Sequence, residues 1–530
     1  MEVQQTKSSA LREWLLVVAA FMVITAVFSF QILATGLDLI PGDTGDARFN
    51  HYLLEHSFLW LKGSPFHTDL FSPPIFFPSK NTLGFSDLAV GGAIPYWILR
   101  ACGVNFGAAF PLWILISHVL NATAAFYLLR RILHFGTLES WIASAFFAFA
   151  APRFAQLCHA QLIPQYWIIL SITGLALFAN GKRPKIGAFL FGFGWAAQLY
   201  CGFYHFWFYS FGLLTFFGLW LMHAANRSQA LAYFKNQRKE VIIAAAAAAT
   251  SVPAILLYAS VRSQVGKRTW NEVTVMLPRV GSWLYTGSSF PFDIPLPMAQ
   301  EHVLSLGILT PLLAIVGLWI SRKRPLYRII GILITVLFFG SLMIGKWSLW
   351  YLVYKLIPGA SAVRAVTRIS LFLLIPLSIG IALSLRWVAQ HCPPRFATYA
   401  VVLLGALLIG EQLERALKTE RYYSWSSKTQ DIQAIANMLD PKACFYAAYS
   451  QPADPKKPLW ETQLDAVWAG LIAGVPTVNG YSGNYPANWD LLINSYSDAQ
   501  QRDDLIKRTI AWSSSNHLAT PCRFIELPQL

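Results

Sequence analysis

"EWLLVVAAFMVITAVFSFQILATGLDLIPGDTGDARFNHYLLEH", residues 13–56, joins a long apolar run to a dense group of ionisable side chains. After Glu13 no charge appears until Asp38, a length that crosses a bilayer core as a helix. Asp43, Asp46, Arg48, His51, Glu55 and His56 then follow in close succession. Lys7 and Arg12 precede the run, which is long for a signal peptide and has no small-residue cleavage site before Gly36. It reads as a retained first membrane span, with the ionisable cluster where that span ends.

The rest of the chain extends this reading. Of 530 residues, 55% are hydrophobic and 13% charged, against about a quarter charged in soluble domains. Further spans are expected near 108–130, 139–154, 161–180, 185–201, 204–223, 240–261, 302–320, 327–344, 367–388 and 397–413, eleven with the first at 13–35. Residues 86–101, "SDLAVGGAIPYWILRA", are too short and too rich in Gly and Pro to cross, and suit a surface or re-entrant helix. From about Glu414 the polarity becomes ordinary, which divides the chain into a membrane domain, 1–415, and a small α/β domain, 416–530.

The net charge of +15 would suggest nucleic acid in a soluble protein. Here it reads as Lys and Arg that orient the spans, so no nucleic-acid partner is expected. With the N-terminus inside, "RRILHFG", "GKRPK", "NRSQALAYFKNQRKE", "SRKRPLYR" and "RWVAQHCPPR" all fall on the cytoplasmic side. The acidic residues and most histidines then sort to the other face, where the long loops 36–107, 262–301 and 345–366 lie. The six cysteines have no metal-ligand spacing. In an extracytoplasmic domain Cys444 and Cys522, each opening an apparent strand, are able to pair; two buried thiols are the alternative.

Residues 41–56 read as a helix lying at the outer surface, with Phe49, Leu53, Phe58 and Leu59 on its apolar face. Capping explains part of the acid: Asp43 can accept from free N–H groups, and Asp46 suits the helix dipole. Two carboxylates exceed the needs of one cap, and capping leaves Arg48, His51 and Glu55 unexplained. Asp46 or Asp43 could instead act as a general base, or the pair could hold a divalent cation such as Mg or Mn. Asp87 caps the 86–101 helix or serves the chemistry.

Three further stretches fall on the same face. "APRFAQLCHAQLIPQYW" (151–167) supplies Arg153, Gln156, His159 and Gln161, and "LYCGFYHFW" (199–207) supplies Tyr204 and His205. Such side chains suit sugar rings, although an interfacial aromatic belt uses the same residues. "KLIPGASAVRAVTRIS" (355–370) places Arg364 and Arg368 one helical turn apart at the start of a span. Paired guanidiniums fit a phosphate or pyrophosphate, and snorkelling to headgroups is the alternative. "TVNGYSGNYPANW" (477–489) is a loop able to reach back over the membrane site or to meet a glycan.

These stretches, with "SPPIFFPS", resemble the GT-C superfamily of integral membrane glycosyltransferases, and within it a group of bacterial multi-span proteins. The resemblance covers most of the chain in outline and only the short stretches residue by residue. It implies a polytopic helical fold in the bacterial inner membrane, with the C-terminal domain extracytoplasmic. It also implies transfer of a sugar from a polyprenyl-phosphate carrier to a glycan, lipid or protein acceptor, with inversion. The family's acidic residue maps to Asp43 or Asp46, and its phosphate-holding arginines map to Arg364 and Arg368. The rival expectations are a transporter or flippase for a lipid-linked glycan, and a non-catalytic scaffold of envelope assembly. Few charges lie at mid-span, which weighs against transport.

Overall fold

The computed structural model describes residues 2–287, 296–419, 421–450 and 458–527. Six helical segments are long and apolar enough to cross a membrane: Leu11–Phe28, Phe106–Ile132, Ala160–Ala179, Arg238–Val265, Val366–His391 and Pro394–Leu417. Phe203–Leu221 and Ala224–Asn236 make a seventh if that pair, bent by 115°, is one broken span. The other four expected spans fall on helices that do not meet this standard, namely Thr137–Phe149, Pro184–Cys201, Leu309–Ile320 and Pro325–Ser341. Two of them are shorter than the sequence suggests. The 139–154 run breaks at Ala150, where the backbone turns extended, and the 302–320 run becomes α-helical only at Leu309.

The Ile369–His391 helix is the axis of the bundle. Residues Ile369–Leu385 are all buried, as expected of a helix apolar on every side. The Leu309–Ile320 helix crosses it at glycines: a Cβ on Gly317 would stand 2.0 Å from the Gly380 carbonyl oxygen, and one on Gly380 would stand 2.5 Å from that of Ala314. Small residues permit this backbone approach where lipid supplies no hydrophobic drive between helices. The Phe106–Tyr127 helix starts where Asn105 accepts from the Ala108 N–H at 2.9 Å. Within 86–101 only Ile94–Ala101 is α-helical, eight residues, fewer than a helix needs to cross a bilayer core.

The polar C-terminal part is pinned to the segment that follows the first apolar helix. Strand β1 (Leu39–Pro41) pairs antiparallel with β2 (Tyr422–Ser424), and Asp38 accepts from the Ser424 hydroxyl and the Ser426 N–H. Further on, β3 (Phe445–Tyr449) and β4 (Arg523–Leu527) form a parallel pair, and a disulfide joins Cys444 to Cys522. Helices Trp425–Ala436, Leu459–Ala473 and Ala499–Ser515 accompany them.

The Asp46–Leu61 helix is not a surface helix. Ala47 through Ser57 are buried, because the Leu459–Ala473 helix packs over the side that a lone amphipathic helix would leave to water. Arg48 ion-pairs with Asp465 of that helix, and the Trp468 indole N–H donates to the Arg48 carbonyl at 3.3 Å.

Candidate active site

Asp46 opens its helix next to Gly45, and its two carboxylate oxygens have different partners. The Tyr481 hydroxyl donates to Oδ1, and His159 Nε2 lies 3.1 Å from Oδ2. His159 Nε2 is also 3.7 Å from Glu301 Oε1, while Nδ1 lies 3.2 Å from the Cys158 sulfur. Glu301 in turn accepts from Arg368 Nη2 at 3.1 Å and from the Gln156 amide at 3.4 Å. The Arg368 guanidinium lies over the Tyr204 ring, 4.6 Å from its centroid. A chain of alternating charge thus runs from Asp46 through His159 and Glu301 to Arg368.

Burial raises the Asp46 carboxyl, but His159, Tyr481 and Arg368 outweigh it and hold the pKa at about 2. Glu301 is likewise brought down to about 2, with Arg368 and His159 overcoming burial. Burial and Arg368 disfavour the His159 cation, yet Cys158 and Asp46 prevail and its pKa stands well above the usual imidazole range. Asp43 differs from its neighbour. Burial and the Asp46 charge raise it, and its Oδ1 accepts from the N–H groups of Ala47 (3.1 Å) and Gly45 (3.2 Å). Asp43 is the cap.

Tyr481 arrives from the C-terminal part because the loop behind it is fixed. Asn479 bonds both backbone groups of Ala447 and the Gln463 amide oxygen, and the Gly480 N–H donates to that same oxygen. Further along the loop, the Arg268 guanidinium donates to the Gly483 carbonyl and the Asn484 side chain. The 477–489 loop therefore does reach the membrane site. A cavity of about 210 Å³ adjoins the cluster, lined by Gly42, Phe154, Cys158, Tyr285, Gln300 and Arg421 among others.

Several expected ligand-binding residues are instead held by internal partners. Glu55 takes a bidentate pair from Arg100 and a bond from the Tyr96 hydroxyl. His51 bonds the Phe106 carbonyl among aromatic rings, and burial depresses its pKa to about 3, so it is neutral. Arg153 donates to the Ile163 and Phe147 carbonyls and to Gln165, and His205 bonds the Leu162 carbonyl and Gln165. Arg48 is committed to Asp465. Asp87 accepts from the Phe203 N–H at 2.7 Å and from Gln161 at 3.0 Å, so it caps the Phe203–Leu221 helix rather than the 86–101 segment.

Arg364 and Arg368 do not share a helical face. Residues 364 and 365 are non-helical, a 3₁₀ turn covers Val366–Arg368, and the α-helix begins at Ile369. Arg368 is its N-cap residue, whereas Arg364 lies apart from it, close enough to Glu272 to lower that carboxyl.

Asp43 and Asp46 are the pair expected to hold a divalent cation. Their oxygens face N–H and O–H donors, with a protonated imidazole between Asp46 and Glu301. Among the described residues no group of three or more His, Cys, Asp or Glu side chains converges as a metal site.

The architecture has a solved counterpart in fold, an archaeal oligosaccharyltransferase. The apo crystal structure of the Archaeoglobus fulgidus oligosaccharyltransferase matches 88% of this chain and 64% of its own, with TM-score 0.50 and 12% identity. The cryo-EM structure of the arabinofuranosyltransferase AftD from mycobacteria matches 83% of this chain and 30% of its own, with TM-score 0.49 and 13% identity. The chain thus spans less than two thirds of either protein's length. No protein-family model and no curated protein matches the sequence.

Proposed function

We propose that this chain is a membrane glycosyltransferase that moves a sugar from a polyprenyl-phosphate carrier to an acceptor hydroxyl of a glycan, lipid or protein, with inversion. One observation carries the reading. At the N-terminus of the 23-residue Ile369–His391 helix, Arg368 Nε and the Thr367 hydroxyl are buried without a hydrogen-bond partner. A helix N-terminus with an unpaired guanidinium N–H and a hydroxyl is a seat for a phosphate. That seat connects through Glu301 and His159 to the ionised Asp46.

The chemistry follows from these positions. The acceptor oxygen attacks the anomeric carbon from the face opposite the carrier, forming the new C–O bond. The bond to the carrier oxygen breaks, and its electron pair leaves with the phosphate, where Arg368 and Thr367 stabilise the growing charge. The acceptor proton passes to Asp46. A carboxylate of such low pKa is a weak base, which suffices when the sugar is already oxocarbenium-like and makes the incoming hydroxyl acidic. Asp43 holds the first turn of the helix so that Asp46 stays aimed.

The same reading places the N-terminus in the cytoplasm of a bacterial inner membrane and residues 416–530 outside it. Eleven crossings result if Thr137–Phe149, Pro184–Cys201, Phe203–Leu221, Leu309–Ile320 and Pro325–Ser341 also span. The Cys444–Cys522 disulfide supports an oxidising compartment for the C-terminal part. The test is complementation of a deletion strain that accumulates polyprenyl-phosphate-linked sugars. Wild type is expected to clear them, and Asp46→Asn to leave them while inserting and folding normally. Full clearance by Asp46→Asn would refute the assignment of the base.

A further inference from the structure

A second polar cavity lies at the opposite membrane face. The Phe106–Tyr127 helix begins beside His51 and ends at Arg130 and Arg131, which pair with Glu13 near the start of the first span. The Tyr166–Ala179 helix likewise begins at the active-site end, beside Gln165, and runs away from it to Asn180. Between these two helix ends and the start of the Pro184–Cys201 helix is a cavity of about 430 Å³.

Its walls divide by chemistry. Ile132, Leu170, Leu177, Ile186 and Leu190 make an apolar side, and Arg131, His134, Asn180, Lys182 and Arg183 make a polar, cationic rim. No acidic residue lines it, and Lys182 and Arg183 form no ion pair among the described residues; of the lining cations, Arg131 pairs with Glu13, which it shares with Arg130. Thr173, 1% exposed, lines the same cavity, and its hydroxyl has no hydrogen-bond partner. A buried hydroxyl left unsatisfied is costly, and the residue that carries it borders the cavity. The 18-residue Pro184–Cys201 helix also begins at this rim without a side-chain cap, so its first N–H groups and its positive end add to the cationic field.

We propose that this cavity binds the phosphate headgroup of an anionic membrane lipid. Lys182, Arg183 and the helix start hold the phosphate, the Thr173 hydroxyl bonds the headgroup or its ester oxygens, and the apolar wall takes the first chain carbons. Basic pockets between spans are suited to such headgroups, and the volume falls within the range of small-molecule sites. Neither the phosphate seat at Arg368 nor the acidic cluster takes part, so the site stands whatever reaction the outer face performs.

Native mass spectrometry of the purified full chain tests this. The probes are phosphatidylglycerol, phosphatidylcholine of the same chains, and a polyprenyl phosphate. Phosphatidylglycerol is expected to be retained over phosphatidylcholine. In Lys182→Ala/Arg183→Asn its affinity should fall roughly ten- to thirtyfold, from about one elementary attraction lost per cation. Asn is chosen because Arg183 sits at φ +57°, a conformation Asn tolerates. Thr173→Val removes only the unpaired hydroxyl, so it should fold as wild type and bind less tightly. Preference for polyprenyl phosphate over phosphatidylglycerol supports the same phosphate chemistry and assigns it to a carrier lipid. Equal retention of the zwitterionic and anionic lipids, or unchanged affinity in both variants, overturns the proposal.

Discussion

Replacing Asp465 with Asn tests whether Arg48 is a structural cation or a ligand-binding one. The Arg48 side chain is 0% exposed and that of Asp465 6%, so neither charge reaches water. Arg48 Nε and Nη1 have no partners of their own, and the nearby Tyr449 hydroxyl donates to Asp465 at 3.4 Å rather than to the arginine. Asn keeps the shape and an amide oxygen but removes the counter-charge. Leaving a buried cation uncompensated costs about 3–5 kcal/mol, which corresponds to roughly two to nearly four decades in an opening equilibrium. The readout is amide hydrogen exchange in the Leu459–Ala473 helix, which should accelerate by that factor while the Ile369–His391 helix stays protected. The double variant Arg48→Met/Asp465→Leu removes both charges and should recover most of the protection, because buried pairs replaced by apolar residues are often neutral. Unchanged exchange in Asp465→Asn, or a double variant as open as the single one, would refute the structural role.

Two other consequences concern the charged chain at the site. The raised pKa of His159 gives a contribution to stability that is complete below about 6.5 and is lost as pH climbs toward the folded value. Asp46 and Glu301, held at about 2, contribute above their ordinary values of 3.8 and 4.5 and lose that contribution as pH falls through about 2. His159→Gln should therefore flatten the alkaline side of a plot of apparent melting temperature against pH and move the acid side upward; a profile parallel to wild type would contradict the network. Tyr481→Phe removes a donor from Asp46, so the acid limb of the transfer rate should shift to higher pH while the protein stays folded, whereas an unmoved limb would show that Tyr481 does not tune the base.

Much of the architecture is legible in the sequence because hydrophobic length is a one-dimensional signal. The first long apolar helix and the shortness of the helix within 86–101 follow from apolar runs and their punctuation. What does not follow is which ionisable residue is satisfied by which distant partner. Arg48, His51 and Glu55 look functional beside Asp46, yet their partners are Asp465, the Phe106 carbonyl and Arg100, and no local pattern announces these. The spacing of Arg364 and Arg368 assumes a helix already formed, whereas the α-helix starts one residue after the second arginine. Glu301 is absent from the sequence-level site because a lone glutamate at a loop edge has no periodicity. Its role depends on Arg368 and His159, 67 and 142 residues away in sequence.

Asp43 and Asp46 sit in different environments. Three residues apart, Asp43 before the helix and Asp46 at its first position, they repel each other when both are ionised. The fold resolves this by distributing partners unequally. Asp43 receives two backbone N–H groups and remains raised, whereas Asp46 receives an imidazolium and a phenol and is lowered to about 2. Environments that push paired acids apart in pKa commonly separate a positioning role from a chemical one. Among the described contacts it is Asp46 that pairs directly with His159, in the chain of charges that ends at Arg368. Exchange of the carboxylates' roles would require Tyr481 and His159 to move together. One comes from the C-terminal loop and the other from between two spans, so a single substitution is not expected to let Asp43 take over from Asp46.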